Sequence, residues 1–186
     1  GATPRQRIGL LVNGSFFQAV GVEPELGRGF RPEENEVPGR DAVVVLGHDF
    51  WQREFGANPS ILGRTVRLNG IEFTVVGVAP AGFTGLTQYT RSEFYAPLMM
   101  WPRLTADPTL RPLEARDSRS LMIKGRLKPG VTMSQAQAEL AVIAADLERA
   151  YPDTNRNRRM AVRTEMQNRI ANGPPVAILL VMLTLL

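Results

Sequence analysis

Cysteine is absent from this sequence, which excludes disulfides, thiolate metal sites and cysteine nucleophiles and leaves the redox compartment open. Histidine is almost absent. His48 is the single one in 186 residues, and one imidazole without thiolates cannot complete a zinc site. Lysine is confined to Lys124 and Lys128, so arginine supplies nearly all the positive charge behind the net +4. No Gly-x4-Gly-Lys-Ser/Thr loop occurs, so the chain is not expected to bind or hydrolyse nucleotide itself. Gly1 to Arg7 shows no basic region leading into an apolar stretch, and no signal peptide is expected there.

What is present reads as a folded protein. Hydrophobic residues make up 44% and charged residues 22%, ordinary for a globular chain with room for one large domain or two small ones. The tightest basic group is Arg156, Arg158, Arg159 and Arg163. It lacks the interleaved aromatics or basic helix of a nucleic-acid site, so no nucleic-acid partner is expected; a solvated strand end or a membrane-proximal face fits better. Val176 to Leu186 is apolar except for Thr184 and follows Gly173-Pro174-Pro175. An amphipathic core helix shows polar positions every turn, and this run shows almost none. It is expected to open a membrane helix that reaches about 20 residues in the parent protein.

Local patterns predict the elements. Gly9–Asn13 reads as a strand, and Ser15 as the cap of a short helix, Phe16–Val20, stopped by Gly21. Leu26–Phe30 is extended, Arg31–Arg40 a polar loop, and Ala42–Leu46 a buried strand. Asp49 is the expected cap of a helix from Phe50 to Phe55. Thr65–Leu68, Asn69-Gly70 and Ile71–Ala79 spell a two-residue type I′ hairpin. Phe94–Leu98 is a further strand, and Met99–Arg119 an irregular excursion. Alternation over Leu121–Leu127 and over Met160–Met166 predicts two strands flanking a helix. That helix opens on the Thr132/Gln135 capping box and carries Ala136, Leu140, Ile143, Leu147 and Tyr151 on one stripe. Strand, helix and strand make a βαβ unit, and the whole is α+β.

Candidate chemistry is sparse. His48 beside Asp49 suggests half of a catalytic triad, but no serine occupies a Gly-x-Ser-x-Gly elbow. Gly27-Arg28-Gly29-Phe30-Arg31-Pro32 begins like a dinucleotide fingerprint, then lacks its third glycine and following helix. Glu33, Glu34, Glu36 and Asp41 lack the spacing and internal glycine of a calcium loop. The aromatics Phe16, Phe17, Phe50, Trp51 and Phe55 either line a groove or, more in keeping with their setting, form core. No catalytic, cofactor-binding or metal-binding residue is assigned.

In order and spacing, a series of phrases resembles the MacB-like periplasmic core domain of ABC-transporter permeases. They are Val12-Asn13-Gly14-Ser15-Phe16-Phe17, Leu26-Gly27-Arg28-Gly29-Phe30, Val43-Val44-Val45-Leu46, Phe50-Trp51-Gln52-Arg53-Glu54-Phe55-Gly56, Ile61-Leu62-Gly63-Arg64, Leu68-Asn69-Gly70 and Phe73-Thr74-Val75-Val76-Gly77-Val78. Pro80-Ala81-Gly82-Phe83 and Leu127-Lys128-Pro129-Gly130-Val131-Thr132 also fit, and the dense Trp-Gln-Arg form looks like the duplicated orphan permeases of acidobacteria.

The resemblance implies a porter-like subdomain at 1–27 and 89–172, an inserted hairpin-rich, Sabre-like subdomain at 28–88, and the start of a transmembrane helix at 173–186. The first porter segment of the family domain would be shortened. It further implies an inner-membrane protein with this domain periplasmic, an ATPase subunit as partner, a periplasmic adaptor or outer-membrane channel as another, and a homodimer of the full permease. The implied role is mechanical transmission of ATP hydrolysis to efflux or substrate release, without catalysis or cofactor in this chain. The alternative is an interaction module that recruits or regulates a partner such as a cell-wall hydrolase. Arg158, Arg159, Arg163 and Arg169 precede the apolar run, where the positive-inside rule favours cytoplasm; that rule is weak for large translocated domains, and the extracytoplasmic placement is kept.

Overall fold

The computed structural model describes residues 5–85, 91–105 and 113–172. The expected membrane helix at 173–186 lies outside the described residues, among which no helix is long and apolar enough to cross a membrane. The chain divides into two compact units, Gly1–Arg126 and Leu127–Leu186.

The first unit is organised by one sheet. Its strands are β1 (Gly9–Val12), β2 (Leu26–Gly27), β3 (Val43–Leu46), β4 (Thr65–Leu68), β5 (Ile71–Val78) and β6 (Phe94–Pro97). They run in the order β1-β6-β3-β5-β2, with β4 also paired to β5. β1 and β6 are parallel, as are β3 and β5, while β3 and β6 are antiparallel. The sheet therefore draws its strands from all three of the sequence segments 1–27, 28–88 and 89–172. The first unit's helices are α1 (Phe16–Val20), α2 (His48–Phe55) and α3 (Trp101–Leu104).

β5 is an interior strand, hydrogen-bonded along both edges; Phe73, Val75 and Val78 are buried, while Glu72 and Thr74 are exposed. Its start is set by the Asn69-Gly70 turn, where both residues have positive φ, 48° and 81°. Two such values are what a type I′ turn requires. One edge of β5 pairs with β3; the other pairs with β4 near the turn and with β2 at Gly77 and Val78. The register with β3 steps from Val44↔Val75 to Val45↔Gly77, leaving Val76 as an extra residue. This bulge rotates the strand, so Val75 still bonds Arg64 while the Val76 carbonyl accepts from the Arg28 N–H at 2.9 Å. Gly77 sits where the chains touch: a Cβ there would lie 2.2 Å from the Arg28 carbonyl oxygen.

Period-two alternation sends neighbouring side chains to opposite faces and gives the sheet two cores. Val44, Leu46, Phe73, Val75, Ala96 and Met100 are buried on one face, where Phe50, Trp51 and Phe55 of α2 pack. Val45 and Tyr95 point to the other, with Val12 and Phe16 and Phe17 of α1. α2 begins at His48 rather than at Phe50. Gly47 stands at the cap with no side-chain bond, so Asp49 is a first-turn residue and not the cap. Its end at left-handed Gly56 is as expected, as is the end of α1 at Gly21, although Ser15 makes no side-chain cap bond. The polar loop Arg31–Arg40 contains a 3-10 turn, Pro32–Asn35, and the excursion after Met99 contains α3.

In the second unit α4 (Met133–Ala150) opens on the expected box, with Thr132 accepting from the Gln135 N–H and Gln135 accepting from Thr132. α5 (Pro152–Asn155) and α6 (Glu165–Asn172) follow. Here the βαβ expectation fails. Leu121–Leu127 and Met160–Met166 form no strand in the described residues, and Ile123 is 92% exposed. Alternation alone makes no strand; a ladder partner is needed, and neither segment is paired with a strand among the described residues. Side chains of α4 take up the second segment's backbone instead. The Gln137 amide donates to the Met160 carbonyl and accepts from the Val162 N–H, both at 2.8 Å. A second capping box then starts α6, with Thr164 and Gln167 exchanging bonds of 2.9 and 3.1 Å.

Gly77→Ala is expected to destabilise the chain by about 1–3 kcal/mol, since the new methyl group must displace backbone. Ile123→Ser is expected to change stability by no more than about 0.5 kcal/mol. Urea titrations of the two variants check this. A loss for Ile123→Ser as large as that for Gly77→Ala would restore the half-buried strand.

Candidate functional site

His48 is placed by the start of α2, whose first turn aims the ring at the segment before β2. Its Nδ1 meets Oε1 of Glu25, and the other Glu25 oxygen accepts from the Ala81 N–H at 3.3 Å. Trp51, three residues along the helix, stands edge-on to the imidazole at 5.8 Å. Asp49 is taken by Arg91 at 2.8 Å. His48 thus faces a carboxylate while Asp49 faces a guanidinium, and the adjacent pair serves two separate contacts. No nucleophile is hydrogen-bonded to the imidazole among the described residues, so the geometry lacks the second half of a triad.

Beside His48 lies a cleft of about 240 Å³ bordered by Asp49, Arg53, Arg91, Ser92 and Glu93. Its floor is held by an ion network that links β1's approach, α2 and β6. Arg7 donates to Glu54 at 2.7 Å and to Glu93 at 3.2 Å, and Arg53 also donates to Glu93. Both guanidinium groups lie over the Phe50 ring, at 5.2 and 6.0 Å, where the ring's negative face attracts them. The hydrogen bond from Arg7 holds the Glu54 carboxyl below its ordinary value against desolvation, with further help from the charges of Arg7 and Arg5. Arg7 is correspondingly raised. These are structural pairings of opposite charges, and none leaves a carboxylate poised as a base.

The glycine-rich phrase before Pro32 runs into a loop whose charges pair with one another. Glu34 receives Arg28 at 2.6 and 3.0 Å and the Arg31 N–H at 2.8 Å. Burial pushes the Glu34 carboxyl up, and these donors more than reverse it, leaving the group below its ordinary value. With Glu34 committed to Arg28 and Asp41 to Arg40 at 2.7 Å, the acidic loop does not assemble a cation site. Among the described residues no group of three His, Cys, Asp or Glu side chains is able to hold a metal ion.

The five aromatics do not form one groove. Phe16 and Phe17 are buried on one face of the sheet, at 5.7 and 5.4 Å from the Tyr95 ring, and Phe50, Trp51 and Phe55 cover the other. Burial pushes the Tyr95 hydroxyl up to about 12, against an opposing pull from Ser92. Arg156, Arg158, Arg159 and Arg163 are exposed in the second unit. Glu25, Arg7, Glu54 and Glu93 are the residues that sequence reading alone passes over, because their partners lie far along the chain. Only Thr164-x-x-Gln167 carried a local signal, the same one that identifies Thr132-x-x-Gln135.

Glu34 and Glu54 both titrate lower in the folded chain than in the unfolded one. Their stabilisation is therefore full above the unfolded carboxylate value, about 4.3, and is lost as pH falls through the folded value. Glu34→Gln is expected to cost about 1–2 kcal/mol at pH 7, the range of a charge-assisted bond with a partly exposed partner. It should also flatten the loss of stability below about pH 4.5. Denaturant midpoints at pH 7 and at about pH 3.5 test this; an unchanged acid slope would show that Glu34 is not responsible.

Comparison with known proteins supplies what the residues lack. A family model, the MacB-like periplasmic core domain, matches residues 2–143. The chain is 38% identical over 63 residues to a macrolide export ATP-binding/permease protein MacB from Chlorobium phaeobacteroides, a stretch covering 33% of this chain and 9% of that protein. The crystal structure of the periplasmic region of MacB from Actinobacillus actinomycetemcomitans superposes with a TM-score of 0.51 at 16% identity, covering 87% of this chain and 64% of that one. A domain of a permease protein from Porphyromonas gingivalis gives a TM-score of 0.43 at 13% identity, covering 91% and 67%. The chain thus spans a small part of the curated relative and less than two thirds of the solved MacB region. With the family model covering the whole first unit's sheet and most of α4, this chain belongs to the MacB-like periplasmic core domain family.

Proposed function

We propose that this chain is the extracytoplasmic domain of an ABC-transporter permease in the inner membrane. It passes the movement driven by ATP hydrolysis on a separate subunit to efflux or substrate release, and is not itself an enzyme. Segments 1–27 and 89–172 are the porter-like part, 28–88 is the Sabre-like insertion, and 173–186 begins a transmembrane helix. A periplasmic adaptor or outer-membrane channel and a second copy of the permease complete the assembly.

The observation that carries this reading is the pairing of β3 from the insertion between β6 and β5. Hydrogen bonds join β1, β6, β3 and β5 in sequence, so a displacement at either edge moves the sheet as one body. Packed, fully bonded elements respond by rigid shifts and not by gradual deformation. Arg7, Glu34 and Glu54, whose titration is shifted, are committed to ion pairs within the fold, which suits a part that transmits movement and does no chemistry. The curated relative's name joins ATP binding and permease in one protein, and this chain has no phosphate-binding loop of its own.

Val45→Asp in the full-length permease, assembled with its ATPase, is the test. Val45 is fully buried between β6 and β5, and an unpaired carboxylate there should disrupt the sheet. Membrane insertion and ATP hydrolysis are expected to persist within about twofold, a rate change below 0.5 kcal/mol, while export falls to background. Export retained by a variant whose sheet has melted would overturn the coupling role. ATP turnover by the purified chain, lost on mutating one of its residues, would overturn the non-enzyme reading.

A further inference from the structure

We infer that the second unit docks on an anionic phospholipid surface through α6 and the arginine group that precedes it. This rests on the proposed membrane attachment of the chain.

Met166 and Ile170 are spaced i and i+4 on α6, so they share one face. They are 67% and 71% exposed. The Thr164/Gln167 box anchors the start of that helix, next to Met166. Immediately upstream, Arg156, Arg158, Arg159 and Arg163 are exposed. By comparison, Arg7, Arg28, Arg40, Arg53, Arg67 and Arg91 of the first unit and Arg149 of α4 each face a carboxylate. From 156 to 172 the sequence has five arginines and Glu165 as its single carboxylate, so the stretch cannot neutralise itself.

The occupant follows from charge and continuity. Exposed methionine and isoleucine, with arginines just upstream that outnumber the carboxylates, match a bilayer interface, where acyl chains take the apolar side chains and headgroup phosphates take the guanidiniums. Arginine pairs with phosphate in a bidentate fork, which suits this composition better than lysine would. The apolar run from Val176 begins four residues after Asn172, so a chain anchored there keeps α6 near the lipid surface. A nucleic acid would gain from the arginines but leave Met166 and Ile170 in water.

The chain has no cysteine, so single reporters are available. Met166→Cys, Leu180→Cys and Gln52→Cys, each carrying an environment-sensitive fluorophore, are placed in the whole chain with vesicles holding a bilayer-borne quencher. The vesicles are phosphatidylglycerol or phosphatidylcholine. Quenching is expected at Leu180 in both, at Met166 in phosphatidylglycerol only, and at Gln52 in neither. Replacing the four arginines by Gln, or raising the salt, should lower the docked-to-undocked ratio at Met166 by at least about tenfold. If Leu180 is quenched while Met166 matches Gln52, docking is overturned and membrane attachment stands. If Met166 responds while Leu180 does not, docking stands and attachment fails. Equal quenching of Met166 in the two lipids, or quenching indifferent to the arginine replacements, overturns the anionic recognition.

Discussion

The hydrogen bonding of β5 on both edges is the constraint from which the first unit's arrangement follows. One edge is occupied by β3 along Thr74–Val78, and the other is divided between β4 and β2. Dividing an edge between two partners requires the strand to turn partway along, and the extra residue at Val76 supplies the turn. Gly77 then allows the Arg28 backbone to close in. From that junction the chain leaves through Arg28 to Glu34, so the buried ion pair in the next loop is a consequence of how β2 is seated.

Local signals made the first unit largely legible. Asn69-Gly70 specifies its hairpin because few residues accept two positive φ values, and the β-branched run Val43–Leu46 has little choice but a buried strand. The α+β class followed from the same patterns. The sheet order did not, since nothing local says that β3 will lie between β6 and β5. The ion network of Arg7, Glu54, Arg53 and Glu93 was hidden for the same reason: its members are 86 residues apart at the extreme.

Reading failed where two local signals competed. Met160 to Met166 alternates as a strand should, yet its last three residues already belong to the capping box and first turn of α6. Alternation describes what a strand would bury if it had a neighbour; the capping box is satisfied within four residues and needs none. At Asp49 the helix starts two residues earlier than the capping signal suggests, so the carboxylate sits in the first turn and meets Arg91. His48 and Glu34, the residues closest to a chemical motif in the sequence, are both engaged inside the fold by partners far from any local pattern or by the next loop. Family membership, by contrast, rested on the order of many weak phrases and on no single one.

Gln137 links α4 to the extended segment after α5 by a device that resembles a peptide group out of place. Its side-chain amide offers one donor and one acceptor at nearly the spacing of a backbone unit, and it meets Met160 and Val162 as a neighbouring strand would. Glu148 accepts from the Asn157 N–H of the same segment at 2.8 Å, so its alignment rests on two side chains of α4 and is not averaged over a ladder. Deamidation of Gln137 to glutamate would remove the donor, keep the acceptor and set a negative charge against the Met160 carbonyl. A slow chemical change of one atom group would then loosen the chain at Met160–Val162 while Glu148 still held Asn157, an ageing mark confined to one stretch and foreign to a laddered sheet.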